Sequence, residues 1–175
     1  GMNDIESYGH ALQKLSAFAK NYAEHYHEYQ YTTYSEYASQ LQKIIQQEKP
    51  EIILLGAAVS DYIVANYSTS KVRSNQQLLI DLQLAPKLIH YVKQWLPETF
   101  LVGFKLLVNV SDSELVEAAL NSIKENQVDL VIANDLASLK ANAHSVLLVE
   151  PDGSYQKITK NIAVKIMKIL QGIRT

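Results

Sequence analysis

The chain contains no cysteine among its 175 residues. Disulfide bonds, a thiolate nucleophile and a cysteine-ligated metal are therefore excluded. Basic residues are not in excess either, since 16 Lys and Arg stand against 18 Asp and Glu, for a formal net charge of −2. A protein that neutralises nucleic-acid phosphates normally carries a basic excess or a clustered basic face. Nucleic acid is therefore not expected as a partner.

Long apolar runs are also lacking, and none approaches the roughly 20 residues that span a bilayer. The amino terminus has neither the basic nor the apolar region of a signal peptide, so a cytoplasmic location without a membrane partner is expected. Gly1 before Met2 resembles an expression remnant, and the native product is expected to begin at Met2. With 47% hydrophobic residues, residues 2–175 suit one domain with a single core.

Helical and strand patterns alternate along the chain. Apolar spacings of three and four predict an amphipathic helix over residues 4–28. A short strand at Tyr29–Thr32 follows, and then a helix that Thr33 and Glu36 begin as a capping box. This alternation is typical of parallel strands with helices on both faces of the sheet. The predicted fold class is therefore α/β with a mostly parallel sheet.

The stretch from Ile52 to Asp61, IILLGAAVSD, is the most informative. Its four aliphatic residues predict a strand buried on both faces. The small residues that follow would let a flat ligand reach the backbone at the carboxyl end of the strand, where open α/β sheets bind ligands. Alternatively, they only let a helix pack closely on the strand.

Two further strands are predicted at Phe100–Leu107 and Val128–Ala133, and the second ends in Asn134 and Asp135. Gly103 would permit close approach to the backbone. Phe104 would present its ring to a base or belong to the core. If the strands are parallel, their polar carboxyl ends meet at one edge of the sheet and form a single cleft.

The remaining segments complete the predicted fold. Residues 63–77 read as a mobile loop whose Lys71 and Arg73 could close over phosphate groups, or as an ordinary solvated connection. A strand at Leu78–Leu84 follows the loop, and Ser111 begins a later helix. Asp152-Gly153 marks the turn of a C-terminal β-hairpin, and a helix over Ile162–Leu170 ends the domain.

Five motifs, AAVSDY, SKVRS, LAPKLI, GFKL and DLVIANDL, occur in this order between Tyr31 and Leu170. In order and spacing they resemble the phosphopantothenate-cysteine ligase family. The resemblance implies a Rossmann-like three-layer αβα domain that joins 4′-phosphopantothenate to cysteine in coenzyme A biosynthesis. It implies CTP or ATP as co-substrate, Mg²⁺, an acyl-nucleotide intermediate and a homodimer. An NAD-dependent enzyme is not indicated, because the G-x-G-x-x-G fingerprint is lacking.

The resemblance also implies roles for particular residues. Lys71, in a lid, would be the catalytic residue that neutralises the charge of the leaving pyrophosphate. The nucleotide would be bound by six residues: Ala57, Ala58, Asp61, Phe104, Lys124 and Asn134.

The amino-terminal part departs from the family, which opens with a glycine-rich phosphate-binding segment. Here Gly9 is the only glycine between Gly1 and Gly56. We therefore expect residues 2–175 to form a single phosphopantothenoylcysteine-synthetase-like domain that is truncated at its N-terminus, with a sheet edge that a partner chain could fill. A separate N-terminal half would restore ligase activity. The alternative is a catalytically silent nucleotide-binding or dimerisation module.

Overall fold

The computed structural model describes residues 26–66, 79–140 and 144–173. The chain divides into two compact units, Gly1–Thr33 and Tyr34–Thr175, while the single domain over 2–175 stays a prediction. The helix predicted over 4–28 lies outside the described residues except at 26–28, which are not helical. The strand predicted at Tyr29–Thr32 is wrong, because this segment is irregular. Its β-forming side chains alone do not make a strand without a neighbour to pair with.

The second unit alternates helices and strands. Its helices are α1 Tyr34–Glu48, α2 Ile89–Trp95, α3 Asp112–Asn126, α4 Leu136–Lys140 and α5 Ile162–Ile173. Its strands are β1 Ile52–Leu55, β2 Tyr62–Val64, β3 Leu82–Leu84, β4 Phe100–Leu107, β5 Leu130–Asp135, β6 Val146–Val149 and β7 Tyr155–Ile158.

Five strands form the main sheet, in the order β1-β4-β5-β6-β7. β1, β4 and β5 are parallel, with Leu55 opposite Gly103 and Gly103 opposite Val131. β6 and β7 add the predicted C-terminal hairpin in antiparallel orientation. The predicted α/β class with a mostly parallel sheet is confirmed.

Helices cover both faces of this sheet, because successive side chains along each strand point to opposite faces. On one face, Ile45, Val92 and Leu115 from α1, α2 and α3 pack on alternate residues of the strands. On the other face, Ile166 and Leu170 of α5 pack on the residues between them. The result is the Rossmann-like three-layer arrangement that the resemblance implied.

The amino ends of the parallel strands are fixed by buried and half-buried polar groups. The hydroxyl of Thr99, which is fully buried, donates to the Pro50 carbonyl at 2.8 Å. Asp129 accepts from the Leu101 amide at 2.7 Å and from Lys93 Nζ at 2.6 Å. These contacts hold β1, β4 and β5 in register, so that their carboxyl ends emerge together.

β1 lies at the edge of the sheet, and the prediction that it is buried on both faces is wrong. Ile53 is 8% exposed, but Leu54 is 45% exposed. The reason is that β1 has β4 on one side, and no strand of the described residues lies on the other. A run of four aliphatic residues does not tell a central strand from an edge strand.

A second, two-stranded sheet pairs β2 and β3 in antiparallel orientation, with Ile63 opposite Gln83. The predicted loop over 63–77 therefore begins too early, and the strand predicted at Leu78–Leu84 is shorter and outside the main sheet. Lys71 and Arg73 lie outside the described residues. Within the described ranges, no helix combines the length and apolar character that crossing a membrane requires.

Candidate functional site

A cavity of about 260 Å³ lies at the carboxyl ends of β1 and β4. Its lining residues are Tyr37, Leu55, Ala57, Val59, Asp61, Lys87, Leu88, Ile89, Phe104, Lys105, Ser122 and Asn126. This is the place where open α/β sheets bind ligands. Its volume is just under the roughly 300–1,000 Å³ typical of small-molecule sites, so it would hold part of a nucleotide.

Three of the residues predicted to bind a nucleotide, Ala57, Asp61 and Phe104, line this cavity. Ala58 is exposed beside Ala57 but is not among the lining residues.

Lys124 and Asn134 are not among the lining residues either. Ser122 and Asn126 are four residues apart on α3 and share the helix face that meets the cavity. Lys124, halfway between them, points away from that face and is exposed. Its role, like those of Ala58, Asn134 and Lys71, stays a prediction.

Gly56 provides the space for the Phe104 ring. A Cβ atom added to Gly56 would lie 3.1 Å from Cδ2 and 3.2 Å from Cε2 of Phe104, closer than side chains normally pack. The ring is 44% exposed, so one part of it rests on the Gly56 backbone and another is open to a ligand. The space above the end of β1 is thus occupied by an aromatic ring.

Gly103 has a different environment from the one predicted. A Cβ atom there would meet Ile89, Val128 and Val131 at ordinary contact distances of 3.6–3.7 Å. Gly103 is buried on the face of β4 that packs against α2 and α3. The prediction that it admits a ligand to the backbone is therefore wrong.

The cavity carries two cations and one anion. Lys87, Lys105 and Asp61 all line it, and none of them forms an ion pair with a residue that the structure describes. Lys105 is half-buried, at the end of an otherwise apolar strand. Because unpaired positive charge in a partly enclosed site attracts anions, the cavity favours a ligand with phosphate groups.

Asn126 was not predicted as a site residue. It is 6% exposed, and its Nδ2 donates to the Ser122 carbonyl at 2.8 Å and to the Ser122 hydroxyl at 3.2 Å. Because the Ser122 carbonyl can only accept a hydrogen bond, Nδ2 and not Oδ1 of Asn126 must face it. The Oδ1 atom has no hydrogen-bond partner among the described residues. An unsatisfied acceptor beside a cavity is an uncommon feature that calls for an explanation.

The end of β5 is held by internal hydrogen bonds. Asp135 accepts from the Asn109 amide at 2.7 Å and from the Ser138 amide at 3.2 Å. Asn134 and Asp135 lie inside the strand, opposite Leu106 and Leu107. The polar ends of β1 and β4 meet at the cavity as predicted, whereas no residue of β5 lines it.

Acidic and histidine side chains do not cluster in the described ranges: no group of three or more His, Asp or Glu residues could hold a metal ion there.

The family described as DNA/pantothenate metabolism flavoprotein C-terminal domain matches residues 19–173. The coenzyme A biosynthesis bifunctional protein CoaBC of Thermococcus kodakarensis is 37% identical over 120 residues, which are 69% of this chain and 30% of that protein. The phosphopantothenate–cysteine ligase of Mus musculus is 27% identical over 194 residues, covering all of this chain and 60% of the mouse protein.

Among solved structures, the DNA/pantothenate metabolism flavoprotein of Streptococcus pneumoniae matches with a TM-score of 0.70 and 28% identity. The match covers 83% of this chain and 72% of the Streptococcus chain. This chain spans about a third of the archaeal relative and three fifths of the mouse relative.

Proposed function

The chain belongs to the family of the DNA/pantothenate metabolism flavoprotein C-terminal domain, and on this premise we propose that it forms the nucleotide-binding part of a phosphopantothenate–cysteine ligase. The supporting observation is the cavity at the carboxyl ends of β1 and β4, which is lined by Phe104 and by Lys105, a lysine without an ion-pair partner among the described residues. An aromatic ring and a cation are the groups that a base and its phosphates require. Relatives named as coenzyme A biosynthesis proteins and as ligases support the substrate class.

In the proposed reaction, a carboxylate oxygen of 4′-phosphopantothenate attacks the α-phosphorus of CTP or ATP. The bond to the bridging oxygen breaks, and pyrophosphate leaves. The amine of cysteine then attacks the acyl carbon, the nucleoside monophosphate leaves, and one proton is lost.

The residues of this chain would position the nucleotide and neutralise the charge of its phosphates. Phe104 contacts the base beside Ala57, and Lys105 neutralises phosphate charge, while Lys71, outside the described residues, is proposed to assist the departure of pyrophosphate. Asp61 lines the cavity, and Ala58, Lys124 and Asn134, which do not line it, are proposed to contact parts of the nucleotide that extend beyond it. Mg²⁺ would arrive with the triphosphate and supply further neutralisation.

We also propose that this site is completed by a second polypeptide segment, an N-terminal ligase half, and by a homodimer. The small volume of the cavity and the partial coverage of the relatives support the first. The apolar side chains exposed on β2 and β3 support the homodimer. The cytoplasmic location stays a prediction.

A catalytically silent module is the second candidate. The observation in its favour is that the chain spans only about a third of its archaeal relative. Such a module would keep the nucleotide cleft or the dimer surface without turning over substrate.

Isothermal titration with CTP and with ATP, each with Mg²⁺, from micromolar to millimolar concentration, tests the proposal. Saturable binding of one nucleotide is expected for both candidates. Ligation of 4′-phosphopantothenate to cysteine after addition of the N-terminal half would separate the enzyme from the silent module. If neither nucleotide binds, the ligase proposal for this chain fails.

A further inference from the structure

Ser122 and Asn126 form a hydrogen-bonded pair whose remaining polar groups have no role in the nucleotide site described so far. Both residues line the cavity at the ends of β1 and β4. They lie four residues apart in the last turns of α3, so they share one face of the helix. Nδ2 of Asn126 donates to the Ser122 carbonyl at 2.8 Å and to the Ser122 hydroxyl oxygen at 3.2 Å. Each side chain therefore determines what the other can offer to a ligand.

The Ser122 hydroxyl is oriented as a donor. Because Nδ2 of Asn126 can only donate, the Ser122 oxygen accepts this bond and its own proton must point elsewhere. That proton meets no acceptor among the residues that the structure describes. Since Ser122 is half-buried and lines the cavity, a ligand there can accept this hydrogen bond.

The side-chain carbonyl oxygen of Asn126 is an acceptor without a partner. Less than 1 Å² of Oδ1 is open to solvent, and no described residue donates to it. An unpaired buried group of this kind is costly. The bond from Nδ2 to the last turn of α3 has a purely structural explanation, but that explanation does not extend to Oδ1. Because the last torsion angle of asparagine has a broad minimum, a small rotation turns Oδ1 towards a donor in the cavity.

We propose that Ser122 and Asn126 select the base of the nucleotide by binding the edge on which an amino group lies beside an unprotonated ring nitrogen. This inference rests on the proposed function, and it names two residues that determine specificity at the same site. Cytosine and adenine both have such an edge. The amino group of the base donates to Oδ1 of Asn126, and the ring nitrogen accepts from the Ser122 hydroxyl.

Uracil and hypoxanthine, the base of ITP, have the reverse pattern on this edge. A carbonyl oxygen replaces the amino group, and the ring nitrogen carries a proton. The carbonyl oxygen would face Oδ1 of Asn126, and the two protons would face each other at Ser122. Both polar groups of the pair would then stay unpaired, and a site built to bond to a donor strongly rejects an analogue that lacks it.

The other groups in the cavity do not make this distinction. Phe104 contacts the face of the ring, and every base has a π-face. Lys105 acts on phosphates, which carry the same charge in all four nucleoside triphosphates. A preference between CTP and UTP, or between ATP and ITP, therefore reports on the edge of the base and not on the ring contact or the phosphate charge.

Isothermal titration of the full chain with CTP, UTP, ATP and ITP, each with Mg²⁺, tests the proposal. The unchanged chain should bind CTP more tightly than UTP, and ATP more tightly than ITP, by at least about tenfold. Comparison of CTP with ATP shows which of the two amino bases this chain prefers. Asn126→Leu keeps a similar volume, removes the amide and frees the Ser122 hydroxyl to accept a hydrogen bond. In this variant both ratios should fall close to one.

Two other α3 variants make the result specific. Ser122→Ala should weaken CTP binding and leave UTP binding nearly unchanged, and alanine suits the helix. Asn121→Leu, at an exposed position outside the cavity, should leave both ratios unchanged. Lys105→Met should weaken CTP and UTP alike. A general loss of structure would also lower both affinities together, so the ratio separates it from a loss of base selection.

Two outcomes would overturn the base selection and leave the proposed nucleotide site in place. The first is equal affinity of the unchanged chain for CTP and UTP and for ATP and ITP. The second is a preference that persists in both Asn126→Leu and Ser122→Ala, because another group would then bind the edge of the base. If none of the four nucleotides binds, the proposed function fails and the base selection fails with it.

Discussion

At the scale of single residues, Lys105 is the side chain on which the proposed nucleotide site depends most. It is half-buried at the cavity and has no ion-pair partner among the described residues. Lys105→Met keeps most of the apolar stem and removes the charge. Because hydrogen bonds to charged groups contribute about 1.5–3 kcal/mol, we expect nucleotide triphosphate to bind at least about tenfold more weakly, as measured by isothermal titration.

Two matched lysine variants make this measurement specific. Lys43→Met removes an exposed charge from α1 outside the cavity and should leave the affinity unchanged. Lys124→Met tests the residue that the family resemblance implied. If Lys124→Met weakens binding and Lys105→Met does not, the site lies nearer the outer face of α3 than the cavity indicates.

Gly56 gives a second test at the residue scale. Gly56→Ala adds an atom within 3.1 Å of the Phe104 ring, so the ring must move from its position at the cavity. We expect nucleotide affinity to fall by up to about tenfold, while the melting temperature changes little because the ring is already half exposed.

Gly172→Ala is the control for that substitution. Apart from its own helix backbone and chain neighbours, no heavy atom lies within 4 Å of the added Cβ. Gly172 is in the last turn of α5, where replacing glycine by alanine stabilises the helix by at most about 0.5–1 kcal/mol. The melting temperature should rise and the affinity should not change. Equal affinities for Gly56→Ala and the unchanged chain would remove Phe104 from the site.

The sequence predicted part of this site for a clear physical reason. Ala57 and Asp61 follow β1, and Phe104 lies in β4. Because the carboxyl ends of parallel strands share one edge of the sheet, the strand pattern predicts that these three residues lie close together. Tyr37, Ser122 and Asn126 come from helices that reach the cavity only through tertiary packing. No local pattern reports which residues of α1 and α3 face the ends of β1 and β4.

At the scale of elements, the start of α3 shows a prediction that local sequence is sufficient to make. Ser111 accepts from the Glu114 amide at 3.4 Å, and Glu114 accepts from the Ser111 amide at 2.8 Å. Ser111→Ala removes half of this capping box and should lower the free energy of unfolding by about 0.5–2 kcal/mol. Urea unfolding measures the loss. Ser35→Ala, at an exposed position of α1, should change stability far less.

The same capping box predicts a pH dependence. Hydrogen bonds from the amide and hydroxyl of Ser111 hold the pKa of Glu114 below its ordinary value of 4.5. A carboxyl whose pKa is lowered by folding stabilises the folded state above its unfolded pKa, and this contribution is lost as the pH falls through the folded pKa.

Glu114→Gln should therefore reduce the loss of stability as the pH falls below the ordinary carboxyl pKa of 4.5, as measured by urea unfolding at several pH values. If the free energy of unfolding of this variant depends on pH as strongly as that of the unchanged chain, protonation of Glu114 does not affect the capping box.

β1 shows where local sequence is insufficient. Its bounds are predicted correctly, because Pro50 and Gly56 flank four aliphatic residues. The burial of β1 is not predicted correctly. It depends on which strands lie beside β1, and the order of the strands is set by the whole sheet. β2 was missed because Tyr62–Val64 is short and leads directly into a polar segment, and three residues form a strand only by pairing with a neighbour such as β3.

At the scale of the whole molecule, the two-stranded sheet of β2 and β3 is the feature that a single chain explains least. Tyr62, Leu82 and Leu84 are 55%, 60% and 73% exposed, and the neighbouring Leu79 is 86% exposed. An isolated two-stranded hairpin is marginally stable in water, and contiguous exposed apolar patches mark interaction surfaces. A second copy of the chain, in the homodimer we propose, would cover this surface through a two-fold axis.

Sedimentation equilibrium at micromolar concentrations tests this assembly, and we expect a dimer for the unchanged chain. Leu84→Lys places a charge in the apolar surface, opposite Tyr62, and should shift the equilibrium towards monomer by about tenfold or more. Val108→Lys, at a position 58% exposed beyond the end of β4, should leave the dimer intact. A monomer at every concentration would leave β2 and β3 exposed in solution and would contradict the homodimer. If Leu84→Lys dimerises as strongly as the unchanged chain, the interface lies elsewhere on the chain.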